Sequence, residues 1–350
     1  MLKNSESVGA PISSSISMEI KPLTINIDEK FDCLLNEFLV AENNHIFNEP
    51  RFFCLHQQSS KDIYAQLVRR KDRKVFATIA FHEKNGEYLS PSRGTFGGFT
   101  INSPIDLALL EQFARVVFSY LTTAGAEKII IKLAPISHDI TSFSIMYNIL
   151  VRCQFMVSTQ ELSFDLRVDE RAFVERTDYG NAKRIRKCQR EGFLSVKLAL
   201  EQLKDVFVVI AANRARRGFP LSMSFFQLQD MANEFPDKIH CFAVYSDLDR
   251  SNLAAASVCI EVSTRVLYVF YWGDAAELES YSPIALLAAE IYGYCQRNCI
   301  EILDVGTSTV DGMPNYGLVR FKRNLAFSES LKLTMTLNCS NLTGFQHGVV

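Results

Sequence analysis

One arrangement of residues occurs twice in this chain, and it constrains the fold more than any other feature. Ser103-Pro104 opens an amphipathic run in which Ile105, Leu109, Leu110, Phe113, Val116, Val117 and Tyr120 recur at helical spacing, and the strand-like Ile129-Ile130-Ile131-Lys132-Leu133 follows. Ser282-Pro283 opens a second run through Ile284, Leu287, Ala288, Ile291, Tyr294 and Cys295, followed by Ile300-Glu301-Ile302-Leu303. A serine before a helix accepts a free backbone N–H, and proline at the first helical position gives up one that has no partner there. Both pairs therefore read as helix starts. Each is preceded by a hairpin pattern. Ile63 to Val68 and Val75 to Phe81 flank a charged turn in the first half; His240 to Tyr245 and Ala254 to Val262 flank residues 246–252 in the second. A further strand, Val266 to Trp272, leads into the second Ser-Pro helix. This order predicts an α+β protein of two tandem domains, each a mixed, largely antiparallel sheet flanked by helices. The boundary is expected near Asp169, after a closing strand around Leu162 to Leu166. The expected parts are a Ser-rich mobile arm over 1–20, a first domain over 21–169 and a second, bearing the active cleft, over 170–350.

Composition agrees with that organisation. The 350 residues suit two domains at ~100–200 residues each, and 48% hydrophobic with 22% charged residues supports full cores. A net charge of -2 argues against a dedicated DNA-binding protein. No apolar run reaches transmembrane length and no signal peptide is evident, so the expected location is the cytoplasm, with peripheral membrane contact left open. The nine cysteines are scattered without a CxxC pair, and the six histidines, His138 among them, look isolated. Neither a disulfide framework, a metal site nor a His-dependent triad is suggested.

Three further segments bear chemistry. Residues 183–190, Lys-Arg-Ile-Arg-Lys-Cys-Gln-Arg, place five cations around a narrow stripe of Ala182, Ile185 and Cys188. Arg184 and Lys187 are thus candidates for an anionic ligand or a membrane surface, against the plainer reading of a solvated face. In the next helix Leu203, Phe207 and Ile210 form a stripe that Arg214 and Arg217 continue, before Gly218-Phe219-Pro220 stops it. Cations on a core-facing stripe imply a cleft, and Arg217 is the favoured anion contact there, against a structural salt bridge. Tyr271 and Trp272, the single tryptophan, end the strand before the second Ser-Pro helix, as core packing or as a cleft wall.

Near the C-terminus, Ile302-Leu303-Asp304-Val305-Gly306-Thr307-Ser308 reads as a buried strand that emerges at an aspartate and a glycine. Asn315-Tyr316-Gly317-Leu318-Val319-Arg320-Phe321-Lys322 then begins a short helix. Asp304 is read either as a proton acceptor or orienting group for Lys322 or Tyr316, or as a cap for the loop after the strand.

The Asp-x-Gly strand end with the following Gly-x-x-x-Phe-Lys turn resembles the C-terminal signature of the FemAB-like branch of the GNAT acyltransferases, and the basic helix resembles the one that opens their second domain. The likeness is specific over residues 181–192 and 304–322 and extends at fold level from about Asn44 onward. It implies an N-acyltransferase that moves an acyl or aminoacyl group from acyl-CoA or another thioester or ester carrier to a primary amine of a small, anionic acceptor. It implies that two splayed strands hold a pantetheine-like arm, with Ser282 and Ile284 at a helix N-terminus facing a diphosphate. It makes Lys322 the oxyanion-stabilising cation, with Asp304 beside it, and Arg184, Lys187, Arg214, Arg217, Tyr271, Trp272, Ser308, Asn315 and Tyr316 substrate contacts. On that basis Lys322→Ala is expected to leave the fold intact; the plain alternative is a surface lysine. The acyl-CoA loop Arg/Gln-x-x-Gly-x-Gly/Ala is absent between Trp272 and Pro283, where Asp274, Glu277 and Glu279 stand instead. Some FemAB-like proteins use aminoacyl-tRNA, so tRNA or an acyl carrier protein is an expected partner, and a cell-wall or lipid precursor is the alternative acceptor. A degenerate, non-catalytic member that binds an anionic metabolite is the competing class. No metal is implied.

Overall fold

The computed structural model describes residues 22–41, 44–91 and 93–341. The expected N-terminal arm over 1–20 lies outside the described residues. A fourteen-stranded sheet runs through the molecule. Its order is Leu23–Asn26, Phe31–Leu35, Ile63–Arg69, Val75–Lys84, Glu87–Ser90, Lys128–Lys132, Ser328–Asn338, Met156–Arg167, Ile302–Thr307, Val266–Asp274, Leu253–Ser263, Ile239–Tyr245 and Leu194–Leu198. The short Thr100–Ile101 branches from Val75–Lys84.

Within this sheet only two neighbouring pairs are parallel, one in each half: Glu87–Ser90 with Lys128–Lys132, and Val266–Asp274 with Ile302–Thr307. A parallel pair needs a crossover, and helices Leu107–Thr123 and Pro283–Arg297 supply the two. These are the two amphipathic runs of the sequence. The last strands cross between the halves. Ser328–Asn338, from the end of the chain, pairs with Lys128–Lys132, whereas Met156–Arg167 pairs with Ile302–Thr307. The two long strands also pair with each other, from Ser328↔Asp165 to Thr336↔Met156, so the sheet is continuous where the halves meet.

Apolar periodicity explains which faces are covered. Phe113, Val117 and Leu121 of the first crossover helix pack with Ile129, Ile131, Leu333, Met335 and Leu337. Leu287, Ile291 and Cys295 of the second pack on Phe242, Cys259 and Leu303. On the opposite face, helix Leu203–Arg216 buries Leu203, Val206 and Ile210 against Cys241, Val258 and Phe270, and Ile46, Phe47, Phe52 and Phe96 of the first half join that core. The halves are therefore joined by hydrogen bonds and by shared apolar burial.

Two helix starts differ from the expectation. Ser103-Pro104 precedes the first crossover helix by several residues, and Asp106 caps it, its carboxylate accepting from Ala108 N at 2.9 Å and Leu109 N at 3.3 Å. A carboxylate there also meets the positive end of the helix dipole, an advantage a serine lacks. In the second helix Pro283 stands at the start as expected. Ser282, however, sits at φ 53° and ψ 54°, and its hydroxyl makes no capping bond. The turn Ala276–Tyr281 runs straight into the helix, and the left-handed residue supplies the change of direction. Among the described residues no helix is long and apolar enough to cross a membrane.

Candidate active site

The strands Val266–Asp274 and Ile302–Thr307 are registered at only three positions, Val266↔Ile302, Leu267↔Leu303 and Tyr268↔Asp304. Beyond them they diverge. On its other side the first strand slips register against Leu253–Ser263, where Val258 faces Tyr271 and Cys259 faces Val269, so Phe270 is an extra residue. Such a bulge bends a strand and strengthens its twist, which accounts for the divergence. Near its end the second strand turns at Gly306 (φ 73°), whose N–H donates to Asp304 Oδ1 at 2.7 Å. Between the two strands lies a cavity of about 600 Å³, lined by residues 268–274 and 305–310, the helices that follow them, and the end of helix Leu203–Arg216.

Lys322 sits in this cavity and is buried to 1% exposure. Its Nζ donates to Gly306 O at 2.8 Å and Thr307 O at 2.9 Å, and lies 5.2 Å from the centre of the Phe164 ring. The lysine is where it is because Asn315 caps helix Tyr316–Asn324, accepting from Leu318 N at 3.1 Å, and Val319 and Lys322 share its inward face. Burial pulls the ammonium down from its usual range to about 7; the Asp304 carboxylate offsets part of this and Arg214 adds to it. The surface-lysine reading is thereby excluded, and Lys322→Ala is now expected to destabilise the fold, because it strands two carbonyls that Lys322 pairs.

Asp304 is buried to 1% exposure and accepts from Gly306 N, as the loop-capping reading expected. It also meets His138 Nε2 at 2.8 Å, from a residue 166 positions earlier in the first half. His138 looked isolated in the sequence and is not. Sequence spacing carries no signal for a contact across the halves. Tyr268, whose phenol is pushed up mainly by burial, and Thr309 are further residues of the site that sequence reasoning missed.

The remaining candidates divide. Trp272, Ser308, Asn315, Ser282 and Ile284 all line the cavity. The hydroxyls of Ser308 and Thr309 are buried and have no hydrogen-bond partner among the described residues, which suits a ligand that supplies one. Tyr271 lines the cavity too, but its hydroxyl accepts from Ser222 N at 2.9 Å and Met223 N at 3.1 Å and so holds the chain after the helix. Tyr316 is 74% exposed and outside the lining. Arg184 and Lys187 are also outside it: Arg184 donates to Asn181 Oδ1 at 3.1 Å, and Lys187 Nζ lies 4.4 Å from the centre of the Tyr281 ring. The four cations expected to converge thus do so only as Arg214 and Arg217.

Those two arginines have different company. Arg217 pairs with Glu279 at 3.1 Å and Asp274 at 3.7 Å, and Arg216 with Asp274 at 3.0 Å. Two of the acidic residues between Trp272 and Pro283, Asp274 and Glu279, are therefore paired with Arg216 and Arg217 at the end of helix Leu203–Arg216. Arg214 lies 5.2 Å from the centre of the Tyr271 ring and has no carboxylate within 4.0 Å among the described residues. It is the cation of this wall left for a ligand.

The first half shows what the same strand pair looks like when closed. Beyond Ser90↔Ile131 the chain folds back, Gly97 bridging to Leu133 and donating to Lys132 O at 2.7 Å, with Gly98 N donating to Ser90 Oγ at 3.0 Å. A Cβ on Gly97 would stand 2.6 Å from Pro91 Cδ, so only glycine passes. The glycine-rich residues 94–98 fill the space that is open in the second half.

No protein-family model matches the sequence, and no curated protein matches it. Solved structures do. The crystal structure of FemX superposes with a TM-score of 0.65 at 12% identity, covering 85% of this chain and 94% of the other. L-PGS from Bacillus licheniformis gives 0.55 at 9% identity, covering 84% and 87%. The C-terminal domain of a putative lysylphosphatidylglycerol synthetase from Agrobacterium fabrum gives 0.52 at 10%, covering 75% and 81%. With the topology above, these show that the chain shares the fold of FemX and of the lysylphosphatidylglycerol synthetase structures, two similar sheet-and-helix halves in tandem.

Proposed function

We propose that this protein transfers an acyl or aminoacyl group from a thioester or ester carrier to a primary amine, in the cleft between the diverging strands of its second half. One observation carries the reading: a buried lysine, held by two backbone carbonyls, faces a strand gap whose nearby hydroxyls lack partners. An extended pantetheine-like or aminoacyl-adenosine arm would complete the sheet there, using backbone groups that divergence leaves free. The amine attacks the carrier carbonyl and the C–N bond forms, giving a tetrahedral oxyanion that Lys322 in its charged form would stabilise. As the C–S or C–O bond breaks, Lys322 would give a proton to the departing group and take the proton shed by the new amide nitrogen, returning to its charged form. Arg214 would meet the anionic part of the acceptor or carrier.

The structural likeness to FemX and to lysylphosphatidylglycerol synthetases favours an aminoacyl donor and a cell-wall or lipid-precursor acceptor as the second form of the same reading. The acidic residues in place of the acyl-CoA loop favour it too, since Glu277 and Glu279 would repel a diphosphate. Purified protein given labelled acyl-CoA, acyl carrier protein or charged tRNA, with a pool of amines, tests both. Label appearing in an amide from one donor class identifies the donor. Folded protein that transfers from none of the three contradicts the proposal.

A further inference from the structure

A second, larger cavity of about 760 Å³ lies between the halves and shares no lining residue with the cleft. Its walls are apolar and ring-rich: Phe96, Phe99, Leu133, Phe143, Met146 and Val266. Phe38 and Val40, also in the lining, are 43% and 93% exposed, an arrangement that leaves large apolar groups in water unless something covers them. Protein interiors are close-packed, so an open chamber of this size with such walls matches the dimensions of small-molecule sites. It also holds a polar group without a mate. His45 lines it, and its Nδ1 is buried with no hydrogen-bond partner among the described residues. Burial, and then the neighbouring His138, push this imidazole down to about 3, so it is neutral. Arg51, Lys238 and Arg265 stand around the same lining, Arg51 and Lys238 paired with Glu49 and Arg265 with Glu301, and Glu49 and Asp139 line it as well.

We propose that this chamber is a second ligand site, for an amphipathic molecule with an alkyl or aryl body and an oxygen-bearing head that hydrogen-bonds His45. The body lies against the phenylalanines and Met146, whose unbranched side chain adapts to either shape. The head takes up His45 Nδ1, and an anionic head additionally competes with Glu49 and Glu301 for the cations of the lining. One wall is His138, whose ring packs edge-on against Phe96 at 5.1 Å and whose Nε2 reaches Asp304. The chamber therefore adjoins the catalytic strand through a solid layer, and its occupant does not enter the cleft. The site stands independently of the transferase reading.

Calorimetric titration of the full chain with decanoate, decan-1-ol and 4-phenylbutanoate tests this. Decanoate or phenylbutanoate is expected to saturate at one molecule per chain, the stronger of the two showing whether the body is alkyl or aryl. Weaker binding of decanol than of decanoate would show that the head is an anion, and equal binding that it is a neutral oxygen. Ala134→Phe, which fills the chamber from its wall, and His45→Phe should each weaken the stronger ligand about tenfold or more, the scale of one lost contact of this kind. Arg214→Gln, in the other cavity, should bind as the wild type. Should Ala134→Phe melt well below the wild type, Thr264→Trp on the exposed rim replaces it. No saturable binding by any of the three, or full binding in both chamber variants, overturns the proposal. So does loss of binding in Arg214→Gln alone.

Discussion

Lys322 joins two properties that a residue needs for this chemistry: it is anchored at a fixed position, and its charge is only marginally favoured. If its ammonium stabilises the oxyanion, turnover at saturating donor should decline as pH rises through about 7, once the acceptor amine is allowed for. A rate that instead climbs through that pH with the amine's own titration removed would make the neutral amine the working form. The same shift fixes a stability trend. The folded lysine titrates near 7 and the unfolded one near 10.5, so between these values the unfolded chain binds the extra proton. This group's contribution to stability therefore rises with pH from 7 to 10.5 and is at its least favourable below 7. Urea melts of wild type and Lys322→Met across that range should show the wild type gaining stability relative to the variant as pH rises. Lys322→Ala should cost about 3 kcal/mol, from two unpaired carbonyls and a cavity. His138→Ala should cost about 2 kcal/mol by leaving Asp304 with one partner fewer, measured by the same melts. The Phe-Lys pair was legible in the sequence, as was Asp304. The depth of Lys322 and its bond to the Gly306 carbonyl were not, because they depend on how a helix docks and not on its spacing. His138 was illegible for a simpler reason: its partner lies in the other half of the chain.

The strand-helix-strand units were readable because apolar alternation and helical spacing change over at the expected places. The cap at Asp106 and the bend at Ser282 were not, since a Ser-Pro pair is compatible with several local paths. The bulge at Phe270 is likewise invisible to alternation, yet it opens the cleft. Gly273 secures the other wall. A Cβ there would stand 2.8 Å from Asn213 Cβ and 3.2 Å from Ile210 Cα, so the helix bearing Arg214 packs directly on the strand. Gly273→Ala should push that helix outward, cost about 2 kcal/mol in a thermal melt and weaken donor or acceptor binding through Arg214. If the variant melts and binds as the wild type, the helix is not held in the way described.

At the scale of the whole molecule, the sequence showed a repeat but not its exchange of strands. Each half supplies the long strand that continues the other's sheet, and a pairing between residues 128–132 and 328–338 leaves no local trace. The exchange makes the halves mutually dependent. Residues 21–169 expressed alone would expose the edge of Lys128–Lys132 along with the apolar residues that Leu333, Met335 and Leu337 cover, and should aggregate where the full chain melts in one transition. A soluble, cooperatively folded fragment would contradict that dependence.

Lys322 in the open half is the residue on which transfer is expected to depend most. Single-turnover transfer of a labelled group to an amine, compared between wild type and Lys322→Met after both are shown to be folded, is the most direct trial. The account predicts a loss of ~100-fold or more in the transfer step, the scale for losing one oxyanion donor, with donor affinity little changed. Equal rates in the two proteins would contradict it.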